Sequence, residues 1–353
     1  MTSKAPAQDP RPQSGLPLAV STGDPGGVGP EVALRAVASH CGSDRAVLFG
    51  DARALREQAL ALGIASSRLH VLSSDQSWEL PVGGIGLCDC GIAWSAAARR
   101  HEATSAGGAA QLAALDAAIA AALGGHVRAL VTAPMSKAAV NLAGRDFIGH
   151  TEHLARAAGL PDDGVTMMFL GPKLRVALVT THVAVSALRG EVTAPRVLRT
   201  VEHLADAMLR AWRPGTSPPR LLVTGVNPHA GEGGLFGDDE PRAIVPAIEI
   251  ARSRPLFQAG RVRIEGPLGA ETAFRQAAGS ATDAVVAMMH DQATIASKLL
   301  DWTQAVNVTW GLPFVRTSVD HGVAYDAAAQ GSADDRGMVS ALAMAQLLTG
   351  SSP

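Results

Sequence analysis

The sequence predicts an α/β protein whose mainly parallel sheet is covered by helices, and three observations carry that expectation. Short apolar runs alternate with helix-patterned stretches along the chain. Three of those runs, RVALVTTH, RLLVTGVNPH and DAVVAMMH, each end in a histidine, at His182, His229 and His290. A length of 353 residues is long for one simple domain and suits two lobes with a shared cleft.

Taken in order, the Pro-, Gln- and Ser-containing stretch over 1–15 reads as a disordered leader with no apolar segment of the secretory kind. Leu16–Ser21 reads as a first strand. A Gly-rich turn follows, then a helix from Pro30 to Ser39, with proline where the first helical turn tolerates it. Ala46–Phe49 is a second strand. Ser105–Leu123 is Ala/Leu-rich and helical, closed by Gly124 and Gly125. Val127–Thr132 is a further buried strand. Ala194–Trp212 is a helix marked by Pro195 near its start and Pro214–Gly215 beyond its end, and Arg213–Arg220 is a loop.

Apolar residues make up 47% and charged residues 18%, enough for a large core. Thirty basic and 32 acidic residues give a net charge of -2, so no basic face for nucleic acid is expected. The apolar stretch from Leu112 to Leu123 contains Asp116 and is too short to span a bilayer, and no membrane partner is expected. Cys41, Cys88 and Cys90 form no disulfide framework and no zinc motif, which fits a reducing, cytoplasmic location.

Five motifs carry candidate chemistry. The turn Gly23–Asp24–Pro25–Gly26–Gly27–Val28–Gly29–Pro30 follows a strand and opens a helix, so its backbone N–H groups suit an anion. It lacks the P-loop lysine and the GxGxxG spacing, and a purely structural turn is the other reading. His150 and Thr151, in Gly149–His150–Thr151–Glu152, suit phosphate or carboxylate, although helix capping by Thr151 explains the pattern too. The three histidines stand where ligands collect in open α/β sheets. A lone strand-end histidine is more often structural, whereas three on one rim suit an open metal site, with Asp291 beside His290 to orient its ring. Lys298, Asn307 and Arg316 suit an anion, or surface ion pairs. The stretch from Asp320 to Asp326 has the makings of a nucleotide turn and is weak evidence by itself.

Together and in this order, GDPGGVGPE, VTAPMSKAAVNLAG, GHTEHLA, TTH, GVNPHAGEGG, GPLGAETAF, MHDQ and NVTWGLPFVRTSVDHG resemble the 4-hydroxythreonine-4-phosphate dehydrogenase family of vitamin B6 biosynthesis. The resemblance covers Leu16 to Leu348. It implies NAD- or NADP-dependent oxidation of a phosphorylated hydroxy amino acid at C3, then decarboxylation to 3-amino-2-oxopropyl phosphate. It implies a divalent metal, zinc ahead of magnesium or cobalt, on His182, His229 and His290. Substrate contacts fall on His150, Thr151, Lys298, Asn307 and Arg316. A homodimer is implied, with its sites at the interface and a metal ligand available from the partner.

The HGVAYDAAAQG stretch further resembles the nucleotide loop of isocitrate and isopropylmalate dehydrogenases, which implies their two-lobed fold with the active site in the interlobe cleft. It places the cofactor at His321, Gly322, Ala324 and Asp326. The expected lobes are residues 16–140 with 303–353 for the nucleotide, and 141–302 for metal, substrate and dimerisation. Lys137, Asp291 and a metal-bound water are the candidate general bases. Some positions depart from the family pattern: Met289 stands where Tyr is usual, Ala293–Thr294–Ile295–Ala296–Ser297 replaces a Gly- and Pro-containing run, and Val323 and Tyr325 replace Thr and Leu. Relatives with altered pockets oxidise 4-phospho-D-threonate, 4-phospho-D-erythronate or aromatic cis-diols. A binding protein that has lost turnover is the remaining class, and the retained ligand types weigh against it.

Overall fold

The computed structural model describes residues 15–40, 44–72, 78–96, 98–161, 163–211 and 217–350. The expected leader, apart from Gly15, lies outside these residues, as do Cys41 and Trp212. The chain divides into two compact units, residues 1–162 with 312–353 and residues 163–311. The strands, in chain order, are β1 (Leu18–Ser21), β2 (Ala46–Gly50), β3 (Leu69–Leu72), β4 (Ile85–Asp89), β5 (Ala129–Thr132), β6 (Thr166–Leu170), β7 (Arg175–Leu178), β8 (Arg220–Thr224), β9 (Arg263–Leu268), β10 (Asp283–Ala287), β11 (Val306–Trp310) and β12 (Val315–Ser318).

In the first unit the strand order is β3-β4-β2-β1-β5-β12, and every pairing is parallel. Strands of such a sheet are covered on both faces, which is why β1 (LAVS) and β5 (ALVT) are buried along their whole length. The helix Ser105–Leu123 starts at Thr104, whose hydroxyl accepts from Gly107 N at 3.0 Å. It is apolar and long enough to cross a membrane, yet Leu115, Ala118 and Ile119 pack in this unit's core. Gly108 on that helix lets the next helix, Lys137–Leu142, come close, since a Cβ there would lie 1.9 Å from the Ala139 carbonyl oxygen. This contact fixes the helix that begins with Lys137. Cys88 and Cys90 are free, and burial pushes their thiols up to about 11 and about 12, so neither is a nucleophile at neutral pH.

In the second unit the order is β11-β6-β7-β10-β8-β9. Strand β6 is antiparallel to both β11 and β7, while β7, β10, β8 and β9 run parallel. The helix Ala194–Ala211 buries Val197, Val201, Leu204 and Met208, one stripe at helical spacing. Arg220, expected in a loop, is the first residue of β8, where its guanidinium meets Asp283 at 2.7 Å. Strand β10 lies between β7 and β8 although it follows both in sequence, so the carboxyl ends of these three strands share one rim.

Candidate active site

His182, His229 and His290 follow β7, β8 and β10, and all three stand on that rim. The β7 and β10 ends are tied by Thr180, whose hydroxyl donates to the Met288 carbonyl at 2.7 Å. The β10 and β8 ends are tied by Gln292. Its Oε1 accepts from Met288 N at 3.0 Å and Met289 N at 3.1 Å, and its Nε2 donates to the Gly225 carbonyl at 3.1 Å. The His182 and His290 rings are 5.4 Å apart between centroids. Asp291 Oδ1 sits 2.8 Å from His290 Nδ1, which leaves Nε2 as the nitrogen for a ligand.

His229 begins a turn in which His229, Ala230, Gly231, Glu232 and Gly233 have φ of 52°, 53°, 79°, 43° and 68°. The left-handed region costs a non-glycine residue about 1–2 kcal/mol, so His229, Ala230 and Glu232 are strained and must be held by their surroundings. The exposed His229 ring lies 6.3 Å from that of Phe236. Among the described residues no group of three or more His, Cys, Asp or Glu side chains is gathered as a complete ion site. Within one chain, then, two rings adjoin and a third waits on the same rim. In kind, this donor set suits a divalent ion.

In the second unit, Asn307 on β11 has a buried Oδ1 without a hydrogen-bond partner among the described residues. Lys298, half-buried on the helix His290–Asp301, holds its Nζ 5.8 Å from the Trp302 ring centroid.

In the first unit, Arg316 on β12 is 2% exposed and donates to the Thr132 hydroxyl at 2.6 Å. Burial pulls its pKa down to about 9, which leaves the guanidinium cationic at neutral pH. His150 opens the helix His150–Ala157. The residue is half-buried, but its Nε2 is sealed from solvent and lacks a partner among the described residues. Burial first, then the charges of Arg316, His153 and Lys137, hold the imidazole well below its ordinary value, so it is neutral. The cap of this helix is Gly149, with no side-chain cap bond, and Thr151 lies inside the first turn. The capping reading of Thr151 is therefore incorrect, and its hydroxyl is not committed to the helix start. Lys137 also approaches: a Cβ at Gly149 would stand 3.6 Å from its Nζ and 2.8 Å from Glu152 Oε2.

The turn at Gly23–Gly29 is not an open anion cradle. Asp24 Oδ1 already accepts from Gly26 N at 2.8 Å, and Val28 N donates to the Val323 carbonyl at 2.9 Å. Gly23, at φ 71°, packs against the Pro134 carbonyl, where a Cβ would come within 2.2 Å of the oxygen. The turn thus seats the loop that contains His321, Gly322 and Ala324. The Tyr325 hydroxyl completes the junction by donating to Asp24 Oδ2 at 2.7 Å, and Gln111 Nε2 donates to the same oxygen at 3.2 Å. Burial raises the Asp24 pKa, partly offset by these three hydrogen bonds. Ala324 is left-handed at φ 48°, and Asp326 lies in the first turn of the short helix Tyr325–Gln330. His321 Nδ1 lies 3.0 Å from the Gly322 carbonyl. Among the described residues other than its chain neighbours, no atom lies within 4 Å of where a Gly322 Cβ would stand. The Asp24–Tyr325 link and the buried Glu240 are absent from the motif reading, because each works through contacts distant in sequence, and Gln292, present there in MHDQ, carries no role of its own.

A family model described as pyridoxal phosphate biosynthetic protein PdxA matches residues 43–345. The 4-hydroxythreonine-4-phosphate dehydrogenase of Desulfosudis oleivorans is 40% identical over 343 residues, 96% of each chain. The D-threonate 4-phosphate dehydrogenase of Cupriavidus necator is 38% identical over 328 residues, 92% of this chain and 95% of the relative. The crystal structure of 4-hydroxythreonine-4-phosphate dehydrogenase from Klebsiella pneumoniae superposes with a TM-score of 0.78 at 35% identity, covering 95% of this chain and 99% of that one. The chain therefore belongs to the pyridoxal phosphate biosynthetic protein PdxA family of dehydrogenases.

Proposed function

We propose that the protein oxidises 4-phosphooxy-L-threonine at C3 with NAD and a divalent metal, then decarboxylates the keto acid to 3-amino-2-oxopropyl phosphate in vitamin B6 biosynthesis. The observation that carries this reading is the common rim of His182, His290 and His229 at the carboxyl ends of β7, β10 and β8. These three imidazoles would hold the ion, zinc by preference, with the ligand set completed in a homodimer. Ile295, Leu299 and Trp302 support the dimer, since they form one exposed apolar stripe along the helix that starts at His290.

When bound, NAD would supply the hydride acceptor, and a divalent ion on His182, His229 and His290 would supply a Lewis acid for the substrate's oxygen. The chain's own groups do the rest. Asp291 fixes the tautomer of His290 and keeps Nε2 directed outward. Arg316 and neutral His150 are proposed to donate to the substrate's phosphate or carboxylate, and Thr151, Lys298 and Asn307 are the further proposed substrate contacts. Such anchoring away from the reacting carbon supplies orientation. Lys137 and Asp291 are the groups proposed to take the hydroxyl proton. The nucleotide is assigned to His321, Gly322, Ala324 and Asp326, where Gly322 leaves room for a ligand to approach the backbone. On this reading residues 16–140 with 303–353 form the nucleotide lobe, residues 141–302 form the metal, substrate and dimer lobe, and the enzyme works in the cytoplasm.

A second reading is oxidation of 4-phospho-D-threonate or 4-phospho-D-erythronate. It is favoured by Met289 and the altered Ala293–Ser297 run beside His290, and by the name of the Cupriavidus necator relative. Reduced nucleotide formation with each substrate, with zinc present, decides between them. A kcat/KM highest for 4-phosphooxy-L-threonine supports the first reading, and one highest for a phosphorylated threonate or erythronate replaces it.

A further inference from the structure

The left-handed turn that starts at His229 keeps six consecutive residues, His229 to Gly234, at positive φ. One side chain, Glu240, gathers the backbone that leads into it. Glu240 is 2% exposed and lies at the start of the π-helical turn Glu240–Ile244. Its Oε1 accepts from Val226 N at 2.9 Å and from Asn227 N at 2.8 Å. Its Oε2 accepts from Asn227 Nδ2 at 3.0 Å, and the same amide group donates to Asp239 Oδ2 at 3.1 Å. Two glycines make room for the carboxylate: a Cβ at Gly225 would stand 2.9 Å from Oε1, and one at Gly231 would stand 2.6 Å from Oε2. A third, Gly237, does the same for Asn227, whose Nδ2 would lie 2.8 Å from an added Cβ. The segment bearing Glu240 is itself anchored, since Arg242 meets Asp239 at 2.8 Å and also donates to the Arg189 carbonyl at 2.8 Å. A buried carboxylate with both oxygens engaged, on a segment pinned from two sides, is a rigid post. It stands under the turn rather than beside the imidazole.

We propose that Glu240 is the positioning residue for His229: by holding Val226, Asn227 and the glycines around them, it keeps the imidazole preset for a divalent ion. Glu240 does not touch the metal; it acts through His229. The inference rests on the three-histidine metal reading above. In metal sites, groups that orient a ligand without binding the ion typically change affinity about tenfold to a hundredfold when removed.

Zinc binding to the full-length protein, measured by competition with a chromophoric chelator, tests this without relying on turnover. In wild type, zinc should bind, and His182→Ala, His229→Ala and His290→Ala should each weaken it sharply while leaving a residual affinity that the chelator competition still reads. Absence of wild-type binding overturns the metal reading itself. With wild-type binding in hand, Glu240→Gln keeps the size and one acceptor but turns the other oxygen into a donor facing Asn227. It should weaken zinc about tenfold or more, and amide exchange at Val226 and Asn227 in the metal-free protein should accelerate. The decisive arm is the double variant: Glu240→Gln added to His229→Ala should cost nothing beyond His229→Ala alone, because the post then has nothing to position. Gly231→Ala, which presses a methyl group against Oε2, is the independent probe if Glu240→Gln fails to fold, and should show the same loss and the same cancellation. Wild-type zinc affinity in Glu240→Gln or in Gly231→Ala, or an undiminished loss when either is added to His229→Ala, overturns the proposal.

Discussion

The Tyr325 hydroxyl donates to Asp24 at 2.7 Å, joining two residues 301 positions apart. It ties the loop assigned to the nucleotide onto the Gly-rich turn after β1. Tyr325→Phe leaves a buried carboxylate short of a donor and should destabilise the protein by about 1–3 kcal/mol in urea unfolding. It should also raise KM for NAD more than it lowers kcat. The chain has one tyrosine, so tyrosinate absorbance reports this group alone. Burial, then the bond to and charge of Asp24, push the phenol above its ordinary value, with Ser136 opposing. As the fold keeps the neutral form, stability is lost as pH rises past the ordinary phenol value of about 10. A folded-state titration at that ordinary value would contradict the link.

Arg316 is the buried cation among the residues proposed to bind an anion in the first unit. Arg316→Lys replaces a planar fork with a single ammonium centre, which cannot offer an anion two parallel N–H groups while it keeps the Thr132 bond. It should lower kcat/KM for a phosphorylated substrate by about a hundredfold or more, mostly through KM. Inorganic phosphate should raise the melting temperature of wild type and not of the variant. Equal phosphate stabilisation of both proteins would remove Arg316 from the site.

His203 predicts an acid-limb pH dependence. It is held in the second unit with Nδ1 2.8 Å from the Thr166 hydroxyl. Burial, then the charge of Arg199, lower its pKa from 6.5 to about 4, while Asp206 opposes. The unfolded chain therefore binds the proton first as pH falls. Stability from this group is complete above pH 6.5, and falls between 6.5 and about 4, by up to about 3 kcal/mol. Urea unfolding across that window should be flatter for His203→Gln than for wild type. Parallel profiles would show that another group carries the slope.

Much of this was legible in the sequence where the signal is local. The runs that became β7, β8 and β10 are short, apolar and stopped by a histidine, and the ends of the helix Ser105–Leu123 follow from Thr104 and Gly124. Strands β4 (IGLCD) and β9 (RIEGPL) were not legible, because glycine, proline and acidic residues dilute their apolar pattern. The reversal of β6 depends on its pairing with β7 and β11, which composition does not encode. Nor does spacing reveal that β10 inserts between β7 and β8, the step that brings the histidines to one rim. Glu240, and the part Gln292 plays in tying β10 to β8, were invisible for the same reason: their bonds reach backbone groups 14 and 67 residues away.

The central claim is that strand-end histidines make this protein a metal-dependent dehydrogenase. NADH formation from 4-phosphooxy-L-threonine by wild type and by His290→Ala, side by side in zinc-containing buffer, tests it most directly. The account predicts turnover by wild type and loss of at least about three orders of magnitude in a folded His290→Ala variant, the scale expected when charge stabilisation at the reacting oxygen is lost. Comparable turnover by the two proteins would contradict it.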